Sequence, residues 1–115
     1  MMKSLLIVFC GVAVFFACKK DQVPVAACAD NVSFSAEIAP LINQNCSTSG
    51  CHDAATATSG YDLSNHASIQ ANADIILSVI NHSSGVSPMP LGQNKIADSL
   101  IAKFECWKAN GALDN

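Results

Sequence analysis

The segment Cys46-Ser47-Thr48-Ser49-Gly50-Cys51-His52 places two thiols and an imidazole within seven consecutive residues. Two cysteines followed directly by histidine are what covalent haem attachment requires. The thiols form thioethers with the two porphyrin vinyl groups, and the adjoining imidazole reaches the iron from the same side. Attachment motifs usually have two residues between the cysteines, whereas four stand here. The small Ser, Thr and Gly residues allow the two extra positions to bulge outward while both sulfurs still span the vinyls. Two other readings of the segment stay open. One is a structural zinc site completed by a further histidine, although adjacent ligands such as Cys51 and His52 are awkward in a closed tetrahedron. The other is a Cys46–Cys51 disulfide beside an incidental histidine.

A six-coordinate haem needs a second axial ligand, and Met89 is the best-placed candidate. Pro88 fixes its own φ and Pro90 drives Met89 toward an extended backbone, so the thioether projects from a stiff loop. A thioether ligand raises the reduction potential relative to two imidazoles. Met89 also reads as an apolar plug in a turn. His82 is the alternative distal ligand, and it equally suits the C-terminal end of a helix, where it would bond the last carbonyls. His66 is a weaker alternative, near the start of the same helix.

Upstream, Met1, Met2 and Lys3 precede an almost unbroken apolar run from Leu5 to Cys18. The run is shorter than the roughly 20 residues that a spanning helix needs, and it describes a secretory signal over residues 1–17. Phe15-Phe16-Ala17-Cys18 resembles the lipobox of bacterial lipoproteins, with bulky Phe16 where that motif usually has a smaller residue. Cys18 is then the expected acylated first residue, and the protein is expected to be exported and lipid-anchored at the cell envelope, facing periplasm or cell surface. An ordinary cleaved signal and an uncleaved anchor are the rival readings. Residues 18–31 read as a flexible tether, and residues 32–115 as one domain.

Without the signal, five Lys stand against nine acids with no Arg, a formal charge of about −4. A mildly acidic surface argues against nucleic acid as a partner and against electrostatic attachment to anionic lipid, which leaves the acyl groups as the membrane tether. Four cysteines follow Cys18 in a chain bound for an oxidising compartment. They make either two disulfides, or a cofactor attachment at Cys46 and Cys51 with Cys28 and Cys106 pairing with each other. Separate thiols or an intermolecular bridge remain for that last pair.

The segment Ser33 to Asn45 puts Ile38, Leu41 and Ile42 on one helical face, with Ser35 available as cap and Pro40 near the start. A second helix is expected from after Ser64 to about His82, on the stripe Ile69, Ala73, Ile76 and Ile80. A third runs from about Ala97 to Asn110, carrying Leu100, Ile101, Phe104 and Trp107, with Gly111 as its cap. No period-two segment of useful length occurs, so the expected class is all-α with long connections. Only Phe34, Tyr61, Phe104 and Trp107 remain as aromatics after the signal. Such a core is thin, and a haem would fill it, with Trp107 and Phe104 packed against it or against the first helix.

From about Val32 to the C-terminus the chain resembles small bacterial monohaem cytochrome c domains, both class I and the planctomycete type. The landmarks are Val32-Ser33-Phe34-Ser35 before the first helix, the haem-binding segment 46–52, Ser87-Pro88-Met89-Pro90, and Trp107-Lys108-Ala109-Asn110-Gly111-Ala112. The resemblance implies a small cytochrome c-like fold of three or so helices with long loops wrapped around one haem c. It implies thioethers at Cys46 and Cys51, proximal ligation by His52 and distal ligation by Met89. The four-residue gap between the haem cysteines and the extra pair Cys28 and Cys106 depart from the usual pattern. With both axial positions filled, the expected role is a carrier or relay of single electrons between redox partner proteins, and not an enzyme. A haem peroxidase or ligand sensor with a labile sixth ligand, and a haem-free disulfide-stapled lipoprotein acting as a binding module, are the alternatives.

Overall fold

The computed structural model describes Cys28 and residues 31–115. The expected signal, Cys18 and most of the expected tether lie outside those residues. No described helix is long and apolar enough to cross a membrane. The described residues are helical without strands, so the chain is all-α there.

Ser33 opens the first helical segment. Its hydroxyl accepts the Ala36 amide at 3.2 Å, while Glu37 Oε2 accepts the Ser33 amide at 3.2 Å. This is a capping box stretched by one residue. The stretch is needed because the turn it closes, Phe34–Ile38, is π-helical, with the Ile38 amide reaching back to the Ser33 carbonyl at 3.3 Å. Ser33 therefore takes the capping role that the sequence pointed to at Ser35. Helix α1, Ala39–Asn45, follows directly, with Pro40 in its first turn, at the junction with the π turn.

The expected second helix is two pieces, α2 (His66–Ala71) and α3 (Ala73–Ile80), broken at Asn72, whose φ is −107° and ψ 12°. The Asn72 side chain donates to the Ser68 carbonyl at 2.8 Å, offering that acceptor a partner outside the helical ladder. The apolar stripe survives the break, because Ile69 lies on α2 and Ala73, Ile76 and Ile80 lie on α3, all buried.

Helix α4, Asp98–Ala109, ends in a Schellman motif. The Ala112 amide bonds the Trp107 carbonyl at 2.9 Å and the Gly111 amide bonds the Lys108 carbonyl at 3.1 Å. Gly111 sits at φ 97°, where a side chain would be strained. The residues beyond it fold back over the first helical segment. Asn115 accepts the Phe34 amide on its side-chain oxygen at 2.7 Å and the Ser35 amide on its backbone oxygen at 2.9 Å.

Helix α4 packs on both the π turn and α3. Ile38, Leu41 and Ile42 meet Ile101, Phe104 and Trp107 in one buried cluster, which Ile69, Ile76, Ile80 and Leu63 extend. Each such aliphatic side chain contributes about 1.5–3 kcal/mol by leaving water. The Phe104 and Trp107 rings meet at a tilt with centroids 5.4 Å apart, and the Trp107 ring lies 5.7 Å from that of Phe34. Their partner is thus the first helical segment. Cys28 and Cys106 are bonded, S–S 2.07 Å, across 78 residues of chain, tying the segment before the first helix to α4.

Lys103 on α4 reaches Glu37 Oε1 at 2.7 Å. That ammonium, and then the Ser33 amide, hold the Glu37 carboxyl below its ordinary value of 4.5. A carboxyl whose folded value is depressed stabilises the fold fully above its unfolded value, and that contribution disappears as pH falls through the folded value. The melting temperature of Glu37→Gln should therefore change less than that of the native chain between about pH 5 and pH 3. Equal slopes in thermal melts across that range would remove the role.

Candidate functional site

The C-terminal end of α1 delivers Cys46. Its amide bonds the Ile42 carbonyl at 2.8 Å and the Ser47 amide shares that acceptor at 2.9 Å, so Cys46 is held against the core and buried. The four residues after it make a tight excursion. The Cys51 amide bonds the Thr48 carbonyl at 3.0 Å, and the His52 amide returns to the Cys46 carbonyl at 3.2 Å. Ser49 and Gly50 lie exposed at the tip, and Gly50 takes φ 82°, the left-handed region open to glycine. The longer spacing between the cysteines is accommodated as an outward turn. Neither cysteine is in a disulfide; Cys46 is buried and Cys51 exposed.

His52 is fixed on both sides. Its carbonyl accepts the Leu63 amide at 2.8 Å and the Ser47 hydroxyl at 3.3 Å. Its Nδ1 lies 3.1 Å from the Tyr61 carbonyl. A carbonyl only accepts, so Nδ1 carries a hydrogen, and Nε2 is the ring nitrogen left to ligate a metal. This is the arrangement that orients a metal-ligating imidazole. The Tyr61 ring stands edge-on to the imidazole at 6.1 Å.

Met89 arrives from the loop after α3. Its amide donates to the Val79 carbonyl at 3.0 Å and its carbonyl lies 3.2 Å from His82 Nε2. The side chain is half-buried, between exposed Pro88 and buried Pro90.

These residues converge. Cys46, Cys51, His52 and Met89 line one open cleft of about 740 Å³, counting the solvent at its mouth. Its apolar walls come from Leu63, from Ile76, Val79 and Ile80 of α3, and from Pro90 and Leu91. A smaller apolar recess of about 340 Å³ adjoins it, lined by Tyr61 and Ile75 as well as His52, Leu63, Ile76, Val79 and Met89. His52 and Met89 thus border both spaces. Leu91 is 71% exposed at the rim.

His82 lines neither space, being engaged with the Met89 carbonyl. His66 is also elsewhere. Its Nε2 lies 2.8 Å from the Ala112 carbonyl, and its ring meets Phe34 and Trp107 edge-on. Among the described residues no group of three or more His, Cys, Asp and Glu side chains gathers as a metal site.

Burial, reinforced by the neighbouring Cys51, pushes the Cys46 thiol up to about 11 from an ordinary 9.0. At pH 8 it carries roughly a hundredfold less thiolate than an unshifted thiol, and the thiolate is the reactive form. Iodoacetamide should therefore modify haem-free chain at exposed Cys51 well before Cys46, as peptide mass mapping over time would record. Equal rates would mean that the burial of Cys46 does not persist in solution.

Sequence reasoning missed the Tyr61 and Val79 carbonyls and the walls Leu63 and Leu91. Backbone acceptors leave no residue signature, and both leucines stand outside any periodic segment. No family model, curated protein or solved structure matches the chain.

Proposed function

We propose that the chain is a monohaem c-type cytochrome that relays single electrons between redox partner proteins, its helices arranged around one haem c as in small cytochrome c domains. The observation that carries this reading is the convergence of both thiols, the His52 imidazole and the Met89 thioether on one apolar-walled cleft. A haem iron asks the protein for two axial donors, so a clustered set of three or more acidic, thiol or imidazole ligands is not needed.

The chain's own residues divide the work. Cys46 and Cys51 supply the thiols for the two thioethers. His52, with Nδ1 committed to Tyr61, would hold the iron through Nε2, and Met89 would hold it through its thioether. When bound, haem c supplies a one-electron iron couple. Leu63, Ile76, Val79 and Ile80 would cover the group with apolar surface, and the cleft opens to solvent past exposed Leu91 and Gly50. We further propose export and attachment to the bacterial envelope through acylated Cys18, which leaves the domain on a tether beside membrane-bound partners.

The test is a pyridine haemochrome spectrum with intact mass, on protein made in a host with haem-attachment machinery. The expected mass is that of the processed chain plus one haem, and the doubly substituted Cys46→Ser, Cys51→Ser chain should lose all pigment on acid-acetone extraction. Colourless native protein would sink the proposal and favour a disulfide-stapled binding module.

A further inference from the structure

We propose that His82 is a positioning residue for Met89, acting through the peptide of the ligand loop and not as a ligand itself. The proposal rests on the haem reading above. His82 Nε2 lies 3.2 Å from the Met89 carbonyl, and because a carbonyl only accepts, Nε2 is the donor. On the other side, the Met89 amide donates to the Val79 carbonyl at 3.0 Å. Both peptide groups flanking the Met89 Cα are therefore tied to the C-terminal end of α3.

The rest of the loop has little else to hold it. Among the described residues, these are the two hydrogen bonds that leave the stretch 84–94; the Gln93 amide bonds the Pro90 carbonyl within it. Ser84, Gly85, Ser87, Pro88 and residues 91–94 are exposed. A thioether is a weak ligand, and its occupancy of an axial site depends on how well its loop is preorganised. His82 also adopts φ 54°. That left-handed turn follows immediately after α3 and Asn81, and it brings the imidazole back onto the loop that begins there. His is among the residues that tolerate such a conformation better than most.

His82→Ala and His82→Gln form the decisive pair. Both put an ordinary side chain at the same positive φ, so backbone strain is shared, while only Gln keeps a donor near the position of Nε2. Two readouts are taken on the full haem-loaded chain. One is amide hydrogen exchange at Met89; the other is carbon monoxide association with the ferrous protein together with the Met-to-iron charge-transfer band. Losing one hydrogen bond should speed Met89 amide exchange about fivefold in His82→Ala. Carbon monoxide association should rise by on the order of tenfold with a weaker charge-transfer band, and His82→Gln should recover most of both.

Native-like exchange and carbon monoxide binding in His82→Ala would overturn the proposal, as would Ala and Gln variants that are equally impaired. Loss of the low-spin spectrum in His82→Ala, with Met89→Ala unchanged, would overturn it by making His82 the ligand. If the native protein carries no haem, the function proposed above falls, and Met89 amide exchange measured on the full haem-free chain decides whether His82 clamps the loop.

Discussion

Replacing Trp107 with Ala should cost about 4 kcal/mol of stability, the scale seen when a buried Trp or Phe is truncated in a core. Trp107 is 1% exposed and meets Phe34, Phe104 and His66 in one aromatic cluster. Its Nε1 donates to the Leu113 carbonyl at 2.9 Å, and its own carbonyl accepts the Ala112 amide. The ring therefore joins three things: α4, the π turn, and the tail that returns to cap Ser33–Ser35. Against a total of roughly 5–15 kcal/mol for a small domain, such a loss removes a large part of the folding free energy. The melting temperature should fall by roughly 15–30 °C at 4–8 °C per kcal/mol. Trp107→Phe separates the contributions, since it keeps an aromatic ring but gives up the bond to the Leu113 carbonyl; about 1 kcal/mol is expected. Urea denaturation followed by circular dichroism measures both. An Ala variant within about 1 kcal/mol of native would mean that this cluster does not organise the core.

Met89→Ala should have the largest effect on the proposed redox chemistry. With the thioether gone, the oxidised protein should shift toward high spin, and the reduced protein should bind carbon monoxide readily. The potential should drop by on the order of 0.2 V, a quarter of the roughly 0.8 V that axial ligation spans. Visible spectra and redox titration read these directly. The fold should tolerate the change, because Met89 is only half-buried and its two backbone bonds do not involve the side chain. An unaltered spectrum and potential would remove Met89 from the iron and point to a histidine. A native protein that already binds carbon monoxide would favour the sensor or peroxidase reading over an electron relay.

The two variants probe different parts of the molecule. Trp107 and Phe104 belong to the core between α4 and the first helical segment, and neither lines the cleft. Ile76 and Ile80 serve both, being buried in the core and lining the cleft. The expectation that the aromatic face of α4 would cover either a cofactor or the first helix resolves in favour of the first helix, where Phe34 is the contact.

Helical periodicity was legible because it is local. The stripe from Ile69 to Ile80 and the face of Leu100, Ile101, Phe104 and Trp107 needed only a 3.6-residue repeat. The end of α4 at Gly111 needed only the absence of a β-carbon at a left-handed position. The break at Asn72 is not legible because Asn72 looks, in sequence, like any polar residue on a helix. The π turn escaped because its extra residue changes hydrogen bonding without disturbing which residues are apolar.

By itself the sequence determined the apolar helical faces and picked out four side chains whose chemistry suits one another, Cys46, Cys51, His52 and Met89, while leaving the Cys28–Cys106 bond as one of several possible pairings. Only the tertiary structure decided that those four border one cleft, that Tyr61 orients His52, and that His82 bonds the Met89 carbonyl and stays off the cleft wall. Residue identity specifies side-chain chemistry and short-range periodicity. The acceptors that aim these side chains are main-chain carbonyls, present at every position and selected only when the chain is folded.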